Sequence, residues 1–114
     1  MVGNFHQKYQ LYLSSVKLKV HLLKFFRIKK QIIMKISVEM SYYPLRPEFV
    51  TPILDFIKRL NAHENIKAVT NGMSTQVFGE YFEVMDVLTK EIHKSFENPH
   101  SVFVMKIINA DLQD

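Results

Sequence analysis

A chain of 114 residues that is 47% hydrophobic and contains nine Phe is long and apolar enough to build one folded domain, which excludes a disordered segment. It has no Cys, which excludes disulfides, thiolate metal sites and a cysteine nucleophile and suits a reducing cytoplasm, the expected location. The formal charge of +4 divides unevenly: residues 1–33 carry seven basic groups and no acid, residues 34–114 eight basic and eleven acidic, so a nucleic-acid reading would rest on the first 33 residues alone.

Residues 1–33 read as a basic N-terminal extension. Lys17, Lys19, Lys24 and Arg27 interrupt every apolar run and no small-residue cleavage site follows, so the pattern fails as a signal peptide. No stretch reaches the length of a membrane span, and the apolar residues do not keep to one stripe as an amphipathic surface helix requires. The segment reads as a poorly ordered tail or as upstream sequence from a mis-set start, with at most a helix across Leu11 to Lys30.

At Met34 the pattern changes. Ile36, Val38, Met40 and Tyr42 alternate with Ser37, Glu39, Ser41 and Tyr43, which predicts a half-buried strand ended by Pro44 and Pro47. Glu48 to Asn61 repeats apolar residues at Phe49, Ile53, Phe56 or Ile57, and Leu60, the period of a helix. Pro52 is tolerated there in the first turn, or else Thr51-Pro52 are the N-cap and first helical residue.

Ile66 to Thr70 and Thr75 to Phe78 predict two short strands joined at Asn71-Gly72, a pair that favours a tight hairpin because both residues accept φ > 0. Gly79 closes the second strand. Tyr81, Val84 or Met85, Leu88, Ile92 and Phe96 then form one apolar helical stripe, with Glu83, Asp86, Lys90, Glu91 and Lys94 on the other face and Asp86–Lys90 as a favourable i,i+4 pair. Asn98-Pro99 stops this helix. Val102 to Ile108 is apolar on both sides, as expected of a central strand or of one whose second face meets a partner subunit.

The order βαββαβ from Met34 to Asp114 is the ferredoxin-like α+β arrangement, a four-stranded antiparallel sheet with two helices on one face and the other face open. Because Ile36, Val38, Met40 and Tyr42 are needed against the helices, Glu39, Ser41 and Tyr43 are expected on the open face. A mid-strand glutamate either points to water or has a partner. Thr70 to Glu80 is the densest run of small polar groups in the chain, able to offer hydroxyls and amides to a small polar ligand or merely to satisfy its own turn.

On Glu39-Met40-Ser41-Tyr42-Tyr43-Pro44-Leu45, Pro52-Ile53 with Phe56-Ile57, the run Thr70 to Tyr81, Val84-Met85 and His100-Ser101-Val102-Phe103, the segment Met34 to about Leu112 resembles the YkoF-like thiamine-binding domains. The resemblance implies a cytoplasmic, non-catalytic protein that binds thiamine or its hydroxymethylpyrimidine precursor near the central hairpin and open sheet face, in salvage or transport. It also implies a homodimer or homotetramer formed through the sheets. The family's recurring positions fall on Glu39, Ser41, Thr70, Asn71, Met73, Ser74 and Thr75. An aminopyrimidine has an amine donor and ring-nitrogen acceptors that Ser, Thr and Asn can match, and Glu39 could accept from the amine or offset a thiazolium charge. Met73 with Tyr43 or Phe78 would supply flat apolar walls, although Met73 and Phe78 also suit plain packing. Family members with two such domains in tandem exist, whereas this chain has one.

The alternative is an oligomeric regulatory or scaffold domain without a small-molecule ligand. An acylphosphatase-type enzyme would need a glycine-rich phosphate loop with an Arg after the first strand, and Tyr43-Pro44-Leu45-Arg46-Pro47 has no glycine. RNA recognition would need spaced aromatics and positive charge on the third strand, and Thr75-Gln76-Val77-Phe78 has one aromatic and no charge. No cofactor is expected. Nor is a metal, since His6, His21, His63, His93 and His100 show no ligand spacing.

Overall fold

Period-two alternation over Lys35–Pro44 produces the first strand, β1, whose Ile36, Val38, Met40 and Tyr42 are all buried on one side. The computed structural model describes residues 16–20, 22 and 33–114. The chain divides into two units, Met1–Ile32 and Ile33–Asp114. Residues 16–20 and 22 are helical, and the rest of the helix expected across Leu11 to Lys30 lies outside the described residues. No described helix is long and apolar enough to cross a membrane.

After β1 come α1 (Val50–Asn61), β2 (Lys67–Thr70), β3 (Thr75–Glu80), α2 (Tyr81–Ser95) and β4 (Ser101–Ile108). The sheet order is β2-β3-β1-β4, antiparallel throughout, which is the ferredoxin-like topology. α1 starts at Val50 with Pro52 in its first turn, where a missing N–H costs nothing. The Glu48 carboxylate, just before the helix, accepts from the Thr51 N–H at 3.1 Å. α2 is capped by the Glu80 side chain, which accepts from the Glu83 N–H at 3.1 Å.

The core lies between the helices and one sheet face: Ile36, Val38, Met40, Tyr42 and Val77 from the sheet, Phe56 and Leu60 from α1, Val84, Val87 and Leu88 from α2. Gly79, on the helix-facing side of β3, lets α2 come close, since a Cβ there would stand 3.0 Å from Val84 Cγ2.

Two expectations need correction. β4 is an edge strand, so its two-sided apolar character does not come from a central position. Glu91 is not on the solvent face of α2: its side chain is only 13% exposed. It receives Arg59 Nε at 2.9 Å and stands 2.6 Å from His63 Nε2, while Arg59 also reaches Ser95 Oγ at 2.7 Å and pairs with Asp55. The stripe rule places Glu91 beside the helix–helix seam, and two polar partners, Arg59 of α1 and His63 of the loop after it, hold it there.

Burial raises the Glu91 carboxyl, but hydrogen bonds and charge from His63 and Arg59 outweigh it and hold the group below its ordinary value of 4.5. A carboxylate depressed in the folded state contributes stability above its unfolded value and loses it as pH falls through the folded one. Glu91→Gln is therefore expected to lower stability at pH 7 by about 1–3 kcal/mol. It should also flatten the fall in urea midpoint on acidification below pH 4.5. A variant with the wild-type pH slope would contradict this role.

Candidate functional site

The site arises because β1 outruns its neighbour. Pairing with β3 ends at Met40 opposite Thr75, whereas pairing with β4 continues to Pro44 opposite Ser101. Among the described residues, one edge of β1 from Ser41 to Pro44 therefore has no strand beside it. That edge, the β2–β3 loop and the first two turns of α1 enclose a cleft of about 430 Å³. Such a size suits a small organic ligand.

Its apolar wall comes from Met40, Tyr42, Phe49, Ile53, Phe56 and Ile57, and its polar rim from the loop. Tyr42 is fixed by stacking on Phe103 at 4.3 Å between centroids, by an edge contact with Phe56 at 5.7 Å, and by its hydroxyl 3.0 Å from Ser101 Oγ. Met40, Tyr42 and Phe56 of this wall belong to the buried core and Ile53 packs against it, whereas Phe49 is exposed at the rim.

The β2–β3 loop is four residues, Asn71 to Ser74, rather than the tight two-residue turn that Asn71-Gly72 favours. Asn71 Oδ1 accepts from the N–H groups of Met73 at 2.8 Å and Ser74 at 3.1 Å, and the Asn71 N–H donates to Ser74 O at 3.0 Å. This side-chain-closed turn replaces the φ > 0 geometry: Gly72 does not have positive φ, and a Cβ on it would meet nothing within 4 Å. The side-chain oxygen of Asn71 is thus occupied within its own loop.

Seven of the eight residues singled out from the sequence line this one cleft: Ser41, Tyr43, Thr70, Asn71, Met73, Ser74 and Thr75. The register puts Thr70 opposite Thr75 on the helix-facing side, and their hydroxyl oxygens are 2.9 Å apart, with Thr75 buried. Whichever donates, the partner's hydrogen stays free, so the pair presents one donor and unused lone pairs side by side. Met73 is 91% exposed at the rim, and Tyr43 is also exposed.

Glu39 is the exception. It stands on the opposite sheet face, where Lys106 Nζ lies 2.9 Å from Oε1 and Ser74 Oγ 3.3 Å from Oε2. The hydrogen bond and charge of Lys106 hold its carboxyl below the usual range, with a smaller contribution from Ser74. Glu39, Lys106, Phe78 and Leu112 line a separate depression on that face. The open face is partly covered there, since Ser37 Oγ donates to Ala110 O at 2.7 Å and accepts from the Leu112 N–H at 2.9 Å.

Sequence reasoning missed the α1 contribution. Phe49, Ile53, Phe56 and Ile57 were legible as a helical stripe. That its N-terminal end opens onto the hairpin depends on the length of β3, which sequence pattern fixes poorly.

No family model and no curated protein matches the sequence. Solved structures do. A protein from Streptococcus pneumoniae is 22% identical with a TM-score of 0.64, covering 69% of this chain and 90% of its own. A candidate thiamine biosynthesis/salvage protein from Thermotoga maritima is 20% identical with a TM-score of 0.59, over 69% of this chain and 84% of its own. A domain of unknown function from Bacillus cereus is 14% identical with a TM-score of 0.56, over 72% and 82%. At these identities what is shared is the fold, and that fold is the one implied by the YkoF-like resemblance of Met34 to Leu112.

Proposed function

We propose that this protein is a non-catalytic binder of thiamine or its hydroxymethylpyrimidine part, held in the cleft between α1 and the β2–β3 loop, and acting in cytoplasmic salvage or transport. The observation that carries the reading is the meeting of a fixed aromatic wall with the Thr70–Thr75 hydroxyl pair in a space of about 430 Å³. A flat heterocycle needs both, an apolar face to stack against and a few placed polar groups to orient it. Among the described residues, the cleft lining has no carboxylate, imidazole or ammonium that would serve as general acid or base. The fold likeness to a candidate thiamine biosynthesis/salvage protein supports the ligand class. Titration calorimetry with hydroxymethylpyrimidine and thiamine tests it: saturable one-site heat with at least one of them is expected, and no heat from either would overturn the proposal.

A second reading rests on β4. Val102, Val104 and Ile108 on the open face and Met105 and Ile107 on the other are all more than a third exposed on an eight-residue edge strand. Lys106 is the strand's one charged residue, and a long apolar edge invites pairing with another chain. On this reading the protein is a homodimer or homotetramer joined through its sheets, as a regulatory or scaffold domain that needs no ligand. Sedimentation equilibrium should then give an oligomer that Val104→Lys converts to monomer; a monomeric wild type would dismiss it.

A further inference from the structure

Resting on the proposed function above, we infer that the cleft discriminates by charge, accepting an uncharged flat heterocycle and disfavouring both a fixed cation and a phosphorylated form.

Among the described residues, none of the sixteen that line the cleft is charged. The carboxylate that would balance a thiazolium, Glu39, is on the other sheet face with both oxygens engaged, Oε1 by Lys106 Nζ at 2.9 Å and Oε2 by the hydroxyl of Ser74 at 3.3 Å. Arg46 and Glu48, which flank the lining residues in sequence, are paired with each other, Nη2 to Oε2 at 3.3 Å and Nε to the Glu48 carbonyl at 2.6 Å. A thiazolium is a permanent cation that cannot shed its charge by losing a proton, so moving it from water to an apolar wall carries a desolvation cost that no charged lining residue offsets. A phosphate meets the same lack, because among the described residues no Lys or Arg lines the cleft.

Aromatic rings can replace a carboxylate as cation partners if their faces are free. In this cleft each buried ring gives up part of its surface to a neighbour: Tyr42 stacks one face on Phe103, and Phe56 packs against both with the Arg59 guanidinium, itself a cation, 5.9 Å over its ring, so a neutral ring can still stack where a second cation meets like charge. Only Phe49 and Tyr43, at the rim, keep substantial exposed surface. The polar groups that remain, the Thr70–Thr75 pair and the unpaired edge of β1, are neutral donors and acceptors suited to an amine and a ring nitrogen.

Calorimetry comparing hydroxymethylpyrimidine, thiamine and thiamine monophosphate at one pH and salt concentration tests the inference. The neutral pyrimidine is expected to bind about tenfold or more tightly than thiamine, with the monophosphate no better than thiamine. Phe49→Glu, which adds a carboxylate at an exposed rim position, should narrow the preference for the neutral ligand severalfold. Equal or tighter binding of thiamine or its monophosphate to the wild type, or an unchanged preference in Phe49→Glu, would overturn the charge discrimination while leaving the proposed function standing. No binding of any of the three would overturn both.

Discussion

Replacing Leu88 by Ala is expected to destabilise the domain by about 2–5 kcal/mol. Leu88 is 1% exposed near the middle of α2 and belongs to the cluster that joins both helices to β1 and β3. Truncation removes three carbons of buried surface. It also leaves a cavity that a helix pinned at one end by the Glu80 cap and toward the other by Arg59 and His63 at Glu91 can only partly close. In a domain this small such a loss is a large fraction of total stability. Urea denaturation should show the midpoint falling with the slope unchanged. A change below about 0.5 kcal/mol, the range of ordinary surface substitutions, would mean that α2 does not pack as described.

The joint substitution Thr70→Val and Thr75→Val is expected to weaken ligand binding about tenfold or more while changing stability by less than about 1 kcal/mol. Valine matches threonine in shape, so the wall stays filled. Because the two hydroxyls bond each other, removing both leaves no buried partner unsatisfied, and the fold loses little. The ligand loses both the free donor and the adjacent acceptor. Calorimetry on the double variant, beside its urea midpoint, separates the two effects: wild-type affinity in a folded variant would remove the hydroxyl pair from the recognition surface.

The fold was legible where a single period governs. Alternation in β1 and the stripe on α2 each follow from one buried face, and the order of elements then leaves the ferredoxin-like sheet as the natural arrangement. Legibility failed where the outcome depends on what lies opposite. Phe96 continues the α2 stripe yet is 55% exposed, because it follows the last residue of the helix and meets Phe103 edge-on without further cover. Glu91 reads as a surface residue until Arg59 and His63 are known to face it.

The candidate site divides in the same way. The polar loop stood out as composition, and its five expected residues line one cleft together with Ser41 and Tyr43 of β1. The tight Asn71-Gly72 turn did not form because the Asn71 side chain bonds two backbone N–H groups, which closes a longer loop without positive φ at Gly72. Alternation correctly put Glu39 on the open face, and its pairing with Lys106 follows from register, which places the two directly opposite across β1 and β4. What alternation could not give is that the cleft opens on the other side of the sheet.

The most direct test of the account is a map of backbone amide shifts on adding hydroxymethylpyrimidine to isotopically labelled protein. Saturable changes centred on Ser41 to Leu45 and Thr70 to Thr75, with α1 residues Ile53 to Ile57 following, are expected if the ligand sits between the hairpin and the helix. Changes confined to Phe78, Lys106, Ile108 and Leu112, or none at all, would contradict it.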